Sequence, residues 1–355
     1  MECRIGDWDI LAAHAAEPNP FFESWYLLPA LRAFDREGHV RLLRFEANGR
    51  LAGLLPIVRK ARYYRWPIPH LSSWLHGNCF LGAPLVARGF ERAFWQALLD
   101  WADAHPGLGL FLHLGQLPLA GVLHEALKSL STAQSREAAI VHREERAMLA
   151  SSLDPDAYLE AAMSGKKRKE LRRQFARLSE TGEVVLERRE DADGLADWIN
   201  QFLALEAAGW KGKAGSALSC SPTTAGLFRE SLQGAAERGK LERLTLSLDG
   251  APIAMLATFL CPPGAYSFKT AFDESYARFS PGVLLQRENL AMLERAGIAW
   301  TDSCAAADHP MIDHIWRERR PVGHVSIAIG GALRRKAFGL LARAETRRDR
   351  AGSRL

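Results

Sequence analysis

No apolar run in the 355-residue sequence approaches the roughly eighteen residues that a membrane-crossing helix needs, so no segment is expected to span a bilayer. Cysteine is scarce. The five thiols, Cys3, Cys79, Cys220, Cys261 and Cys304, are odd in number and form no C-x-x-C pair. That argues against a disulfide framework and against a zinc site, and no metal is expected. The opening MECRIGDWDI lacks the basic-then-apolar order of a secretory leader, which points to a reducing, cytoplasmic setting. A general basic surface is missing as well. The formal net charge is +5, but residues 332–355 hold eight basic and two acidic residues, leaving the rest of the chain at about −1. DNA binding is therefore not expected.

What the chain does have is a repeated pattern. RLLRFEANGRLAGLLPIV and RLTLSLDGAPIAMLATFL each place a turn dipeptide, Asn48-Gly49 or Asp249-Gly250, between two strand-like runs. Such dipeptides supply the positive φ angles of a tight hairpin. After the first hairpin come an irregular segment, a helix near 90–104 and the strand LGLFLHL. After the second come AYSFKTAF, a helix reaching Ala296 and the strand IAWTDS. One α/β unit used twice is the simplest reading. The boundary falls near Ser151, giving units at 1–150 and 151–331 and a basic tail at 332–355.

Between the hairpins, SGKKRKELRRQFARL spaces Leu171, Phe175 and Leu178 on one helical face and crowds seven cations on the other, offset only by Glu170. Mutual repulsion there favours an anionic partner. Helices are expected near 195–208 and from Ser221-Pro222, a good N-cap and first-turn pair. In Ser280-Pro281-Gly282-Val283, a proline that needs no donor and a glycine that lets a ligand approach open a helix. Its free amides and positive dipole end suit a phosphate, although the same pattern serves as a plain helix start.

Several residues are candidates for acid–base work. Asp302 ends a strand, where α/β sheets place their sites, and is a base, the group that orients one, an N-cap or half of a structural ion pair. His309 has a suitable intrinsic pKa but also reads as a turn residue before Pro310. Glu206, beside Trp198, Phe202 and Leu205, is a second carboxylate candidate. The adjacent GWKGKAGSAL, with Trp210 and Lys211, has the composition of a loop that folds over a substrate.

The order hairpin, strand, phosphate-facing helix, strand resembles the core of the GNAT acyltransferases. Its double use resembles the Fem-like branch and the acetyltransferases linked to cellulose or exopolysaccharide biosynthesis. SGKKRKELRRQFARL, FLALEAAGWKGKAGSAL and SPGVLLQRENLAMLERAGIAWTDS carry the likeness, which covers about 150–320. The family's R/Q-x-x-G-x-G/A loop is absent, and Arg278-Phe279-Ser280-Pro281-Gly282 stands in its place. The resemblance implies an α/β (α+β) mixed sheet in two tandem GNAT-like units, with acyl-CoA as co-substrate. It implies a pantetheine chain paired with backbone at Met255, Ala257 and Phe259, and a diphosphate near Arg278, Ser280, Pro281, Gly282 and Val283. Lys269 is then a candidate for holding the oxyanion and Tyr276 for protonating the thiolate. Lys167, Arg168 and Arg172 border the acceptor.

The implied activity is N-acyl transfer from acyl-CoA to an amine, on a sphingoid base or other lipid amine in a ceramide-type reaction, or on an amino-sugar or envelope precursor. Aminoacyl transfer from tRNA and a non-catalytic scaffold are the alternatives. The tail places Leu333, Ala337, Leu340, Leu341 and Ala344 together, with Arg334, Arg335, Lys336, Arg343, Arg347 and Arg348 around them. That is the pattern of a helix lying on an anionic membrane, here the inner face, and equally of a helix docked on the body.

Overall fold

The computed structural model describes residues 4–307, 309 and 311–352, with backbone alone for 346–352. The chain divides into two compact units, residues 1–145 with 320–355, and residues 146–319. The sequence pattern left 320–331 in the second unit. The structure gives it to the first, because residues 322–328 pair with a first-unit strand.

The first unit contains β1 (Arg41–Ala47), β2 (Arg50–Lys60), β3 (His70–Ser73), β4 (Leu85–Val86), β5 (Phe111–Pro118), most of β6 (Ala138–Leu149), and most of a returning strand, Glu318–Ala328. Asn48 and Gly49 have φ of 53° and 71°, so β1 and β2 join through the expected tight turn. After the helix Glu91–Ala104, β5 pairs with β3 in parallel over only two residues. Where the two strands part, the chain fills the gap itself. The Gly82 amide donates to the Gln116 carbonyl at 2.9 Å, and a Cβ on Gly82 would lie 2.0 Å from the Gly115 carbonyl oxygen.

The helix Ala332–Gly352 docks on this unit through Phe338 and Ala342, which pack with Tyr63, Phe111 and Ala328. Of the face expected from sequence, Leu341 packs against this cluster and the rest turns away from it. Leu333 and Leu340 are exposed, and Leu341 is half-buried. The side chains of Arg347 and Arg348, and residues 353–355, lie outside the described residues.

A row of histidines crosses the first unit. The rings of His70 and His113 are 5.9 Å apart, His113 and His324 5.3 Å, and His324 and His142 5.0 Å. Burial pulls His70, His113 and His324 below the usual imidazole range, His113 to about 3. Such groups are neutral when folded but take up protons when unfolded, so stability present above the unfolded value near 6.5 is lost as pH falls below it. Urea titrations should show a loss of up to about 1.4 kcal/mol per pH unit for each histidine below pH 6.5. His113→Phe should make that slope shallower.

The second unit runs β7 (Val184–Arg189), β8 (Leu241–Leu248), β9 (Ala251–Cys261), β10 (Gly264–Phe272) and β11 (Trp300–Asp302), in that lateral order, with the end of β6 beyond β11. The returning strand Glu318–Ala328 is β12. Asp249 and Gly250, at φ of 50° and 77°, turn β8 into β9. The helix Leu195–Ala208 spans the expected residues. Ser221 accepts from the Thr223 amide to start Pro222–Ala236, as its N-cap pattern predicts. The helix from Pro281 stops at Glu288, short of the expected Ala296, and tightens to 3-10 geometry over Asn289–Glu294. Arg188 captures the Glu288 carbonyl at that junction. A core of Leu244, Leu256, Leu285, Ile315 and Trp316 sits beneath the sheet.

Gly264 marks a tight place in this core, since a Cβ there would lie 2.3 Å from the Trp300 ring. Gly264→Ala should lower unfolding free energy by about 1–3 kcal/mol in urea melts. Gly226→Ala, in open space on the helix Pro222–Ala236, should raise it by about 0.5–1 kcal/mol.

Candidate active site

β10 and β11 run parallel for only three residues, Gly264–Tyr266 against Trp300–Asp302. Past Tyr266, β10 continues to Phe272 with β9 on one edge and no strand partner on the other among the described residues. A strand edge with no strand beside it must find other partners for its peptide groups. One is supplied by Lys211, whose Nζ donates to the Thr270 carbonyl at 3.2 Å.

Lys211 is held there by Glu206. The buried Glu206 carboxylate accepts from Lys211 Nζ at 2.8 Å through Oε1 and from the Leu218 amide at 2.8 Å through Oε2. Both oxygens are engaged, so Glu206 is not a free base. It ties the two ends of the 209–218 loop to the end of its own helix. Glu274 pins the same loop from the other side, accepting from the Trp210 amide at 2.6 Å and from Lys213 Nζ at 3.1 Å. Gly212 is required where a Cβ would lie 1.8 Å from the Ala207 carbonyl. The braced loop presents Trp210, 56% exposed, beside Lys211.

Lys269, on β10, is largely buried. Burial pulls its amine down to about 8, with the nearby Lys211 charge acting in the same direction and Glu206 and Cys304 opposing. His309 shares the influence of Lys211. Burial lowers its pKa, Lys211 lowers it further, and Asp313 opposes. Its Nδ1 is buried without a hydrogen-bond partner beyond its own backbone. The charge of Lys211 thus acts on both Lys269 and His309, and those of Glu206 and Cys304 act on Lys269.

Other expected residues take different places. Asp302 is fully buried, accepts from the Cys304 amide at 2.8 Å and faces Arg146 Nη1 at 3.6 Å. Its geometry is that of a turn-holding ion pair. Tyr276 packs its ring against the apolar core. Arg278 stacks its guanidinium on Phe279 at 4.6 Å.

Two expectations fail on geometry. Met255, Ala257 and Phe259 lie on β9, a central strand paired with β8 and β10 and fully buried, so their backbone cannot receive a pantetheine chain. The free edge belongs to β10. The cradle at 281–284 also shrinks. Ser280 adopts a left-handed φ of 53°, and its carbonyl takes both the Val283 and Leu284 amides. Pro281 has no donor, which leaves only the Gly282 amide of that set. Met311 then covers Gly282, its Sδ 2.3 Å from where a Cβ would be.

A separate cavity of about 570 Å³ in this unit is lined by Arg168, Arg172 and Arg287 with Asp156, Glu160 and Glu288. Arg168 pairs with Glu160 and Arg287 with Glu288, so the cation excess expected from the helix Gly165–Ser179 is balanced at the cavity. Lys167 sits exposed on the first turn of that helix. Sequence spacing missed Arg287, Arg146 and Met311, because only the tertiary fold brings them to these places.

Residues 165–309 match the acetyltransferase (GNAT) domain family. They form a GNAT acyltransferase domain. The matched stretch contains Glu206, Lys211, Lys269 and His309. No curated relative matches the chain by sequence. Among solved structures, FemX aligns over 96% of this chain and 99% of its own, at a TM-score of 0.62 and 11% identity. The L-PGS protein from Bacillus licheniformis aligns over 92% of this chain and 97% of its own, at 0.52 and 13%. At such identities the likeness is one of fold, and the GNAT domain sits within a longer chain that shares that fold throughout. Among the described residues, no cluster of metal-ligating side chains and no membrane-length apolar helix is present.

The Lys269 cluster makes signed predictions. Removing the Lys211 charge in Lys211→Met should move the Lys269 midpoint above 8. Glu206→Gln should move it below, both readable by NMR titration of the Lys269 side chain. Because the folded pKa is depressed, wild-type stability should rise as pH climbs from about 8 toward the unfolded lysine value near 10.4, a trend that Lys269→Met should flatten.

Proposed function

We propose that the GNAT domain transfers an acyl group from acyl-CoA to an amine, with the donor laid along the free edge of β10. The observation that carries this reading is the parting of β10 from β11 after three residues, with Lys211 bonded to the Thr270 carbonyl at the edge so exposed and Lys269 on the strand itself. A pantetheine chain offers amide groups that can pair with Ser267–Phe272, a stretch with no strand beside it on one edge among the described residues. The amine nitrogen attacks the thioester carbon and the C–S bond breaks. His309 Nδ1 takes the proton that the amine loses. The Lys269 ammonium faces the charge that develops on the carbonyl oxygen and returns a proton to the departing thiolate. An acid near 8 is close to the range of a departing thiol, which suits Lys269 to that role, whereas the Tyr276 ring packs on the apolar core.

Glu206 and Asp302 act through others in this scheme. Glu206 positions Lys211 and the Trp210 loop, and Asp302 shapes the turn at Cys304. Trp210 offers an aromatic surface to the acceptor, as suits an amphiphilic amine or an amino-sugar envelope precursor. Aminoacyl-tRNA in place of acyl-CoA is the second donor reading, supported by the fold shared with FemX.

Native mass spectrometry with acyl-CoAs from acetyl to palmitoyl, paired with thiol-release assays on an amine panel, tests the proposal. We expect one chain-length class to bind. His309→Asn should lower kcat by about 10²–10⁴-fold with little change in donor affinity. Binding of aminoacyl-tRNA but of no acyl-CoA would overturn the donor. His309→Asn and Lys269→Met both remaining within about two-fold of wild type would overturn the site.

A further inference from the structure

The first unit carries a surface that the proposed chemistry does not use. On the helix Ala332–Gly352, Leu333, Ala337, Leu340 and Ala344 recur at i, i+4, i+7 and i+11, which confines them to about 60° of arc. This stripe is not the side that docks on the body through Phe338 and Ala342. Leu333 is 86% exposed and Leu340 65%. Both are far more exposed than a packing role requires.

Two loops extend the stripe at its ends. Near Leu333, the segment 105–109 is clamped by two guanidiniums. Arg334 donates to the Gly109 and Gly107 carbonyls at 2.6 and 2.8 Å, and Arg59 to Pro106 and His105 at 3.0 and 2.8 Å. The clamp holds Leu108 outward, 83% exposed. At the other end, Tyr63 bonds to Glu345 at 2.8 Å, bringing the loop 63–68 against the helix. That loop exposes Tyr64 and Trp66, and between it and Leu341 and Ala344 lies a mainly apolar cavity of about 660 Å³. Exposed cations flank the apolar tips. Lys336 and Arg343 lie beside the stripe and Arg65 beside Trp66, within a tail of net charge +6.

We infer that this face seats on an anionic lipid surface, with Leu333, Leu340, Leu108 and Trp66 entering the acyl boundary and Lys336, Arg343 and Arg65 meeting the headgroups. Projecting apolar tips, aromatic residues with polar edges and a cationic rim fit a bilayer interface. A protein partner would call for a continuous apolar patch with few charges at its centre. The surface lies wholly in the first unit, so its test is separable from that of acyl transfer.

Flotation of the full chain with vesicles decides the matter. Binding should be strong to vesicles of about one-third phosphatidylglycerol, weak to pure phosphatidylcholine, and should fall as salt rises. Leu333→Gln with Leu340→Gln should weaken partitioning by about ten-fold or more. Lys336→Gln and Arg343→Gln should each weaken it about five-fold. All four side chains are exposed, so circular dichroism and transfer to a soluble amine should be unchanged. Trp66→Ala, in a different loop, should lose affinity independently. No vesicle binding by wild type, or binding indifferent to the two leucines, would overturn the inference. So would light scattering that shows the leucines holding two copies together without vesicle binding.

Discussion

A strand that loses its neighbour halfway along is the constraint on which the second unit is built. β10 has β11 beside it for three residues and then continues with β9 alone, one edge having no strand among the described residues. Unpaired peptide groups in a protein interior cost on the order of 1–3 kcal/mol each, so the edge must be met by side chains, water or a ligand. Lys211 meets one carbonyl. To do so its charge must be brought toward a dry region, which requires a carboxylate partner. That partner is Glu206, and the arrangement fixes the 209–218 loop as a consequence. Burial pushes Lys269 and His309 toward their neutral forms, and the Lys211 charge adds to it. The lowered pKa values of Lys269 and His309 are thus tied in part to the lysine that meets the open edge.

The comparison of the two units sharpens this point. Each has a hairpin, a further strand, a helix and then a parallel strand pairing for only two or three residues. In the first unit the opening is closed by the chain itself, through Gly82 against Gly115 and Gln116. In the second unit the opening is bordered by titratable side chains instead. The two openings therefore differ in what occupies the place where two strands diverge, backbone in the first unit and titratable side chains in the second.

Much of this was legible in the sequence because it is local. Asn48-Gly49 and Asp249-Gly250 make the turns they encode, Ser221-Pro222 starts a helix, and the doubled order of elements is present. The reading of the site was less complete, for physical reasons. Hydrophobic runs do not say which strand is central, so backbone pairing with a ligand was expected on β9, which β8 and β10 cover on both sides. Helix-start chemistry does not reveal that Ser280 turns left-handed and uses two amides internally. A carboxylate such as Glu206 or Asp302 looks the same in sequence whether it is free or held by Lys211 or Arg146. His309 and Lys269 were visible as residue types, but their perturbation by burial and by a shared neighbour exists only in the folded chain.

The tail shows how an amphipathic pattern can serve two faces at once. Periodicity grouped Leu333, Ala337, Leu340, Leu341 and Ala344, and any helix with that spacing was expected to bury them or insert them. Docking instead uses Phe338 and Ala342, residues roughly opposite the stripe, whose contacts with Phe111 and Tyr63 fix the helix on the first unit. Once that side is anchored, the leucines are committed to solvent or to whatever covers them. An exposed leucine costs little by itself. Two on one stripe, with Leu108 held outward by paired arginine clamps, form a preorganised surface rather than a scattering of exposed side chains. Preorganisation of this kind removes the ordering cost that a free amphipathic tail would meet at a membrane.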